Sequence, residues 1–406
     1  MEKIRFIHCA DLHLDSPFIG LKHLPADLFD RIQNSTFAAF EKLVKEAVQR
    51  RIDFMIISGD LFDEEDRSIR AQAKLLKQFN LLDASGIPVY VIHGNHDHLG
   101  SFRLNLDMPG NVHIFDVKTE VKELLTKSGA LVKLAGFSYG TRHIRERRIT
   151  DYPRHIEADY VIGLLHGSEG SIHSSHEHYA PFTIKELKEK DYHYWALGHI
   201  HQRQLLNSDP PIVYPGNIQG RHRKETGEKG CYLVELHERD AALEFIPTQD
   251  ILWERVEVSL SGIERFGEMF RKIMKKAEEY EVSSDSLLQI DLKDYLDLSS
   301  EIFHAVENGD LLQALQADLL TGEYSKWIHS IKLSRGEHVQ IERNDPFIGD
   351  VIHELTDMST EAGIEALAEL YEHPSLYRYI DVLKEEELKH LIEESVELIL
   401  YPAKRQ

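Results

Sequence analysis

The sequence is poor in cysteine and in long apolar runs. It contains two cysteines, Cys9 and Cys231, and both lie in apolar, strand-like segments. Thiols so few and so far apart are typical of a reducing compartment, where disulfide scaffolds are rare. No apolar run approaches the roughly 18 residues that a membrane-spanning helix needs. The N-terminal residues have neither the long apolar stretch nor the small-residue cleavage site of a signal peptide. The sequence therefore predicts a cytoplasmic protein without a membrane span.

Positive charge is also scarce. There are 47 Lys and Arg residues against 69 Asp and Glu residues, which gives a formal net charge of −22. This balance argues against a protein that binds nucleic acid over its whole surface, because phosphate contacts need a basic footprint. A local interface stays open, since metal ions or a partner subunit can offset acidic charge in one cleft. Histidine, by contrast, occurs 24 times, which directs attention to metal sites.

Apolar strands alternate with amphipathic helices in the first part of the chain. Short runs rich in β-branched and aromatic residues predict strands at 3–9, 53–58, 89–93, 131–137, 160–166 and 194–198. Apolar residues at helical spacing predict helices at 34–51 and 67–85. Continuous apolar strands separated by such helices indicate an α/β domain whose strands are buried on both faces.

The pattern changes near residue 250. Before it, short connections between apolar runs at 212–214, 231–236 and 243–245 predict antiparallel strands that complete a second sheet. Beyond it, the order β-α-β-α-β up to residue 333 predicts a small α+β domain, and the acidic, amphipathic remainder predicts helices. We therefore expect three parts, at 1–250, 251–340 and 341–406.

Polar side chains follow five of the predicted strands directly. In open α/β sheets the carboxyl ends of the strands form the edge where ligands bind, so these side chains are expected to meet. Imidazoles mixed with carboxylates and an amide suit manganese, iron or zinc better than calcium, and one shared carboxylate can bridge two ions about 3.5–4 Å apart. In chain order the residues are Asp11, His13, Asp60, Asp63, Asn95, His96, Asp97, His166, His199 and His201.

These motifs match a family. In this order, Asp-x-His, Gly-Asp-Leu-Phe-Asp, Gly-Asn-His-Asp, a single His and Gly-His-Ile-His resemble the calcineurin-like metallophosphoesterases, over roughly residues 1–250. The segments at 8–15, 59–63, 214–217 and 230–235 are similar to those of SbcD-type exonucleases, the nuclease subunits of SbcC–SbcD DNA-repair complexes, and most of all to a YhaO-like branch. The resemblance implies a four-layer α/β/β/α sandwich at 1–250, a capping domain at 251–340 and a partner-binding helical segment at 341–406.

The resemblance also implies a role for each motif residue. It implies that one metal is held by Asp11, His13, Asp60 and His201, and the other by Asp60, Asn95, His166 and His199. His96 would protonate the leaving oxygen, Asp97 would orient His96, and Asp63 would orient a histidine or water. It further implies two Mn²⁺ ions, a DNA substrate hydrolysed as part of repair, a homodimer, and an SbcC/SMC-like coiled-coil ATPase as partner.

Other interpretations stay open. The chain could be a phosphodiesterase for small nucleotides, or a scaffold that metal merely stabilises, although a scaffold has no need of His96. Arg142, Arg145, Arg147 and Arg148 could contact phosphate or form a solvated surface. Asn217 and the basic run at 221–224 depart from the family pattern, which leaves the choice of substrate open.

Overall fold

The structure, a computed structural model, describes most of the chain. The described residues are 2–18, 21, 24–63, 68–100, 107–170, 179–295, 298–319, 325–334 and 346–368, with 388, 391–392 and 395–396. All ten candidate site residues lie in these ranges, whereas most of the predicted C-terminal helical segment lies outside them. Among the helices described, none is both long enough and apolar enough to cross a membrane.

Fifteen strands and eight α-helices are described. The strands are β1 (Ile4–Cys9), β2 (Phe54–Ser58), β3 (Val89–Ile92), β4 (Val112–Ile114), β5 (Glu120–Leu125), β6 (Leu131–Gly136), β7 (Tyr160–His166), β8 (Tyr194–Gly198), β9 (Gln204–Ser208), β10 (Pro211–Tyr214), β11 (Gly230–His237), β12 (Asp240–Pro247), β13 (Leu252–Ser259), β14 (Ser286–Lys293) and β15 (Lys326–Leu333). The helices are α1 (Ala26–Arg50), α2 (Ile69–Ala84), α3 (Ile184–Lys188), α4 (Phe266–Glu279), α5 (Ser300–Glu307), α6 (Asp310–Leu319), α7 (Pro346–Thr356) and α8 (Thr360–Ala366).

The first sheet has the order β12-β11-β1-β2-β3-β4. Strands β1 to β4 run parallel, and β11 pairs with β1 in antiparallel register, with Phe6 opposite Val234. The sequence pattern predicts that the strands that follow β10 belong to a second sheet, and this prediction is wrong for β11 and β12. The alternate residues Val234 and Leu236 of β11 face the same core as Phe6, so burial of that face favours pairing with β1.

The second sheet has the order β5-β6-β7-β8-β10-β9. Strands β6, β7, β8 and β10 run parallel, and β5 and β9 form antiparallel edges. The strand β10, which was expected to be antiparallel, thus lies parallel to β8. The edge strands β5 and β9 alternate between half-buried and exposed positions, a pattern too weakly apolar to predict them from the sequence.

Two six-stranded sheets and the helices that flank them form four layers. Successive side chains of a strand point to opposite faces, and β1 shows both environments. Ile7 and Cys9 pack with α1 and α2 on one side of the first sheet. Ile4 and Phe6 pack against apolar residues of the second sheet, whose outer face is covered by α3 and the segment around Ile149. The α/β fold predicted from the sequence is confirmed.

The chain beyond residue 250 contributes a three-stranded sheet of order β13-β14-β15. The order β-α-β-α-β predicts one helix between β14 and β15, but two are present, α5 and α6, because Gly309, with φ +85°, lies between them. Two compact units are resolved: 1–258 with 265–291 and 304–332, and 259–264 with 292–303 and 333–406. The boundaries at 250 and 340 stay a prediction.

Candidate metal centre

The predicted site residues lie on the loops that leave β1, β2, β3 and β8, except His166, which is the last residue of β7. Asp11, His13, Asp60 and His199 have φ values of 51°, 41°, 50° and 100°. Left-handed backbone at a residue with a side chain costs of the order of 1–3 kcal/mol and is concentrated at functional sites. Hydrogen bonds between the loops hold it in place here, because the Asp11 and His13 amides donate to the carbonyls of Gly59 and Asp60 at 3.1 and 3.0 Å.

Glycines in the motifs let the chains approach closely. A Cβ at Gly59 would lie 2.3 Å from Nδ1 of His166, and a Cβ at Gly94 would lie 2.2 Å from Oδ1 of Asp60. Both distances are below any real van der Waals contact, so no side chain fits at either position. The glycines of Gly-Asp-Leu-Phe-Asp and Gly-Asn-His-Asp thus make room for the His and Asp side chains beside them.

Two imidazoles face each other in the first group of ligands. Nε2 of His13 lies 3.0 Å from Nε2 of His201. A carboxylate stands at the other nitrogen of each ring, with Asp63 Oδ1 2.9 Å from His13 Nδ1 and Glu225 Oε1 2.7 Å from His201 Nδ1. Arg221 Nη2 also lies 3.2 Å from His201 Nδ1, but the shorter carboxylate contact assigns the proton to Nδ1.

That assignment leaves a lone pair on both Nε2 atoms. Two lone pairs 3.0 Å apart repel each other unless a cation lies beside them, and a carboxylate on the far nitrogen is the usual arrangement of metal-binding histidines. Asp11 offers a carboxylate oxygen to the same place, with its ligand atom and those of His13 and His201 within 4.8 Å of one another. Burial, reinforced by Arg221, lowers the pKa of His13 to about 3, so this ring is neutral, as a ligand must be. The donor set fits a metal ion.

A second group gathers around His166. Its Nδ1 lies 2.9 Å from the Ser58 carbonyl, to which it donates, and its Nε2 lies 2.9 Å from Oδ1 of Asn95 and 3.4 Å from Oδ2 of Asp60. Nδ1 of His199 lies 3.3 Å from the same Asn95 oxygen. Burial lowers the pKa of His166, yet the Asp60 and Asp11 carboxylates outweigh it and raise the pKa to about 9. The carboxylates of Asp60 and Asp11 therefore favour a positive charge in this pocket.

Asp60 touches both groups. Its Oδ2 lies 3.8 Å from Nε2 of His13 and 3.4 Å from Nε2 of His166. Burial raises the pKa of Asp60, but the surrounding histidines, His166 foremost, bring it well below its usual range. Burial raises the pKa of Asp11, whose carboxylate accepts the His199 amide at 3.0 and 3.1 Å. A carboxylate in the position of Asp60 can be shared by two ions.

His96 is held by the backbone of Asp63. Its Nδ1 lies 2.7 Å from the Asp63 carbonyl, and its amide donates to Oδ1 of Asp60 at 3.0 Å. The Asp97 carboxylate, which was expected to orient His96, accepts hydrogen bonds from the Leu61 amide at 3.1 Å, the Gly94 amide at 2.8 Å and His93 Nδ1 at 2.8 Å. The Asp63 carbonyl thus orients the His96 ring. Asp97 links the loop that follows β2 to the loop that follows β3.

Glu225 is a partner of His201 that the sequence pattern does not predict. It lies 24 positions after the histidine in a loop without regular structure, so no periodicity connects the two. Two arginines of the run before β7 form ion pairs in the structure. Arg147 pairs with Glu186, and Arg148 pairs with Asp151 at 2.8 Å, so both of these arginines are engaged within the fold.

Several known proteins are similar to this chain. Residues 4–203 match the calcineurin-like phosphoesterase family. The metallophosphoesterase YhaO of Bacillus subtilis is 38% identical over 411 residues, covering 98% of this chain and 97% of the relative. The DNA double-strand break repair protein Mre11 of Methanocaldococcus jannaschii is 26% identical over 66% of this chain and 72% of its own length. A crystal structure of a dimetal phosphatase from Danio rerio, 12% identical, matches 60% of this chain and 96% of that one with a TM-score of 0.38.

The near full-length match with a metallophosphoesterase and the match of residues 4–203 identify the family. Its members are metal-dependent hydrolases that use a dinuclear metal centre, and the clusters around His13 and His166 are candidate ligand sets for it. The chain belongs to the calcineurin-like metallophosphoesterase family.

Proposed function

We propose that the chain is a dinuclear, Mn²⁺-dependent phosphodiesterase that hydrolyses DNA, as SbcD-type exonucleases do. The observation that carries the proposal is the pair of histidines, His13 and His201. Their Nε2 atoms stand 3.0 Å apart, and the carboxylates of Asp63 and Glu225 lie 2.9 and 2.7 Å from the two Nδ1 atoms. Asp60 adjoins this pair and His166, so it can be shared between one ion held with Asp11, His13 and His201 and another held with Asn95, His166 and His199. Nitrogen and oxygen donors in this mixture suit Mn²⁺, while iron and zinc remain compatible.

Two bound ions would activate water and stabilise the charge on the phosphate oxygens. The protein's own residues then hold the reacting groups. The Nδ1–H of His96 donates a hydrogen bond to the Asp63 carbonyl. In the doubly protonated ring, the proton on Nε2 is therefore the one that would pass to the leaving oxygen. Amide donation from His96 to Asp60, and from His199 to Asp11, fixes both carboxylates. General acid catalysis of this kind contributes about 10²–10⁴-fold to a rate.

The relatives support DNA as the substrate. The Mre11 protein of Methanocaldococcus jannaschii is named for DNA double-strand break repair, and its similarity extends over 283 residues, beyond the 200 positions from 4 to 203 of the family match. We propose, by the same resemblance, a cytoplasmic homodimer with an SbcC/SMC-like coiled-coil ATPase as partner. Residues 251–340 would cap the cleft, and the helices of 341–406 would bind the ATPase.

Hydrolysis of two kinds of substrate, a small diester and DNA, tests the proposal. The full chain, freed of metal and resupplied with Mn²⁺, is given bis-p-nitrophenyl phosphate and end-labelled single- and double-stranded DNA. We expect Mn²⁺-dependent cleavage of both kinds of substrate, and loss of both in Asp60→Asn. Cleavage of the small diester with DNA left intact, even when the ATPase is added, would instead support a phosphodiesterase for small nucleotides. Absence of cleavage of any diester would overturn the proposal.

A further inference from the structure

We propose that Asp63, Arg221 and Glu225 form a charged clamp that fixes the ligands His13 and His201, and that this clamp sets the affinity of one of the two metal positions. The inference rests on the proposed dinuclear centre and adds Arg221 and Glu225 as positioning residues. Neither belongs to the motifs from which the ligands were recognised. The clamp is defined by these three residues.

The contacts of the clamp run from one ligand to the other. Asp63 Oδ1 lies 2.9 Å from His13 Nδ1, and Glu225 Oε1 lies 2.7 Å from His201 Nδ1. Arg221 stands between the two carboxylates, with Nη1 paired to Asp63 and Nη2 3.6 Å from Glu225 Oε1. One guanidinium therefore ties together the two groups that orient the facing imidazoles, and displacement of any member moves a ligand.

Burial makes these interactions strong. The side chains of Asp63, Arg221 and Glu225 are 14%, 13% and 7% exposed. Oε2 of Glu225 accepts the Asn217 side-chain amide at 2.8 Å and the Arg221 backbone amide at 2.7 Å, so both carboxylate oxygens have donors. Hydrogen bonds to a charged group shielded from water are stronger than exposed ones, and removing one partner leaves the other charge uncompensated.

The loop that carries Arg221 and Glu225 is anchored to the start of β13 and to the two residues before it. Oε1 of Gln219 accepts the amides of Asp250 and Ile251 at 2.7 and 3.2 Å, and its Nε2 donates to the Ile251 carbonyl at 2.6 Å. The indole of Trp253 donates to the Gly220 carbonyl at 2.9 Å. A loop anchored at the two residues directly before Arg221 restricts where that guanidinium can lie, which is what positioning of a ligand requires.

The same basic run suggests a competing role. Arg221 stands in sequence with His222, Arg223 and Lys224, and exposed cations of this kind bind substrate phosphate in many proteins. In the structure Arg223 and Lys224 are exposed, whereas Arg221 turns toward Asp63. The clamp predicts that Arg221 differs from Arg223 in its effect on metal binding, and a phosphate-binding surface predicts that the two act alike on substrate binding.

Direct Mn²⁺ binding separates these roles. Isothermal titration of the metal-free full chain compares Arg221→Gln and Glu225→Gln with the matched variants Arg223→Gln and Glu228→Gln, which remove the same charges from exposed positions of the same loop. We expect two ions per chain in the unmodified protein. In the clamp variants one ion should bind about 10–100-fold more weakly, the usual cost of losing the partner of a ligand. At saturating Mn²⁺ the KM for bis-p-nitrophenyl phosphate should stay unchanged.

Each outcome decides the matter. Wild-type affinity for both ions in folded Arg221→Gln and Glu225→Gln would overturn the clamp while leaving the dinuclear centre in place. A higher KM in both Arg221→Gln and Arg223→Gln with unchanged metal affinity would assign the run to phosphate binding and also overturn it. Failure of the unmodified chain to bind any Mn²⁺ would remove the proposed function itself. If circular dichroism shows that Glu225→Gln is unfolded, Arg221→Gln decides alone, with Arg221→Lys expected to restore part of the affinity.

Discussion

The backbone carbonyl of Asp63 lies 2.7 Å from Nδ1 of His96. A carbonyl only accepts, so the imidazole must carry its proton on Nδ1 when it is neutral, and Nε2 is the nitrogen that can exchange a proton with a substrate. The side chain of the same Asp63 stands at Nδ1 of His13. One residue thereby places its carboxylate beside a candidate metal ligand and sets the tautomer of the candidate acid through its backbone.

Replacement of His96 by alanine separates acid catalysis from metal binding. Because His96 contacts Asp60 through its backbone amide, which alanine keeps, both ions should bind to His96→Ala with wild-type affinity. Turnover of bis-p-nitrophenyl phosphate should fall about 10²–10⁴-fold through loss of the general acid. Stopped assays at saturating Mn²⁺ and a parallel titration measure the two quantities, with His237→Ala, an exposed histidine, as the control. Wild-type turnover in His96→Ala would show that another group delivers the proton.

A methyl group at Gly94 should disrupt the centre. The added Cβ would lie 2.2 Å from Oδ1 of Asp60 and 2.7 Å from Nε2 of His166, so ligand side chains must move. Overpacking of a dense interior costs about 1–3 kcal/mol, and we expect Gly94→Ala to lose Mn²⁺ binding together with a comparable amount of unfolding free energy. Gly110→Ala, where nothing lies within 4 Å of the new atom, should change neither Mn²⁺ binding nor the unfolding free energy. Denaturant titration measures the second quantity. Normal metal affinity in Gly94→Ala would show that the loop can shift to accommodate the added methyl group without moving Asp60 or His166.

The sequence predicted which polar side chains lie together more fully than it predicted the pairing of the strands. Asp11, Asp60 and Asn95 each follow an apolar strand directly, and parallel strands deliver such residues to one edge whatever the rest of the fold. The partner of a strand depends on which apolar faces pack together in the tertiary structure, and the sequence pattern does not show this. The prediction for β11 was therefore wrong, because β11 pairs with β1 in the first sheet. The contact between Glu225 and His201 depends on the path of a loop held by Gln219, and no local pattern encodes that path.

Helix α1 shows the same limit at a boundary. The apolar spacing predicted a start at residue 34, whereas the helix begins at Ala26. Its first turns bury Leu28 and Ile32 against Trp253 and Trp327, residues more than 200 positions away in the sequence. Tertiary burial of this kind lengthens a helix beyond what its own periodicity predicts.

Stability should fall in acid because of His8. The Tyr194 hydroxyl donates to its Nδ1 at 2.9 Å, and its Nε2 donates to the Leu197 carbonyl at 3.1 Å, so the buried ring is neutral. Burial lowers its pKa from 6.5 to about 3. Below pH 6.5 the unfolded chain takes up a proton that the folded chain refuses, and this group removes up to about 1.4 kcal/mol of stability per pH unit until the folded pKa is reached.

Denaturant titrations between pH 7.5 and 4 check this prediction. They compare the unfolding free energy of the unmodified chain with that of His8→Gln at each pH. Glutamine has no titrating group, so the variant should be less stable at pH 7.5 but lose stability more slowly on acidification, by roughly one proton's worth of slope. Parallel pH profiles for the two proteins would show that the His8 ring is already protonated in the fold, or that water reaches it.

Removal of metal should lower the melting temperature. Asp11 and Asp60 are buried, and without ions their charge is balanced only by neighbouring groups such as His166, whose pKa rises to about 9 for that reason. Ions that bind the folded state alone stabilise it by about 2.7 kcal/mol at 100 times their dissociation constant. Differential scanning calorimetry should therefore show a transition that moves up steadily with Mn²⁺ and down with a chelator. Asp60→Asn removes the carboxylate common to both ligand groups, so its transition should respond far less to Mn²⁺. Equal responses in the two proteins would mean that the ions which stabilise the fold bind somewhere other than the centre around Asp60.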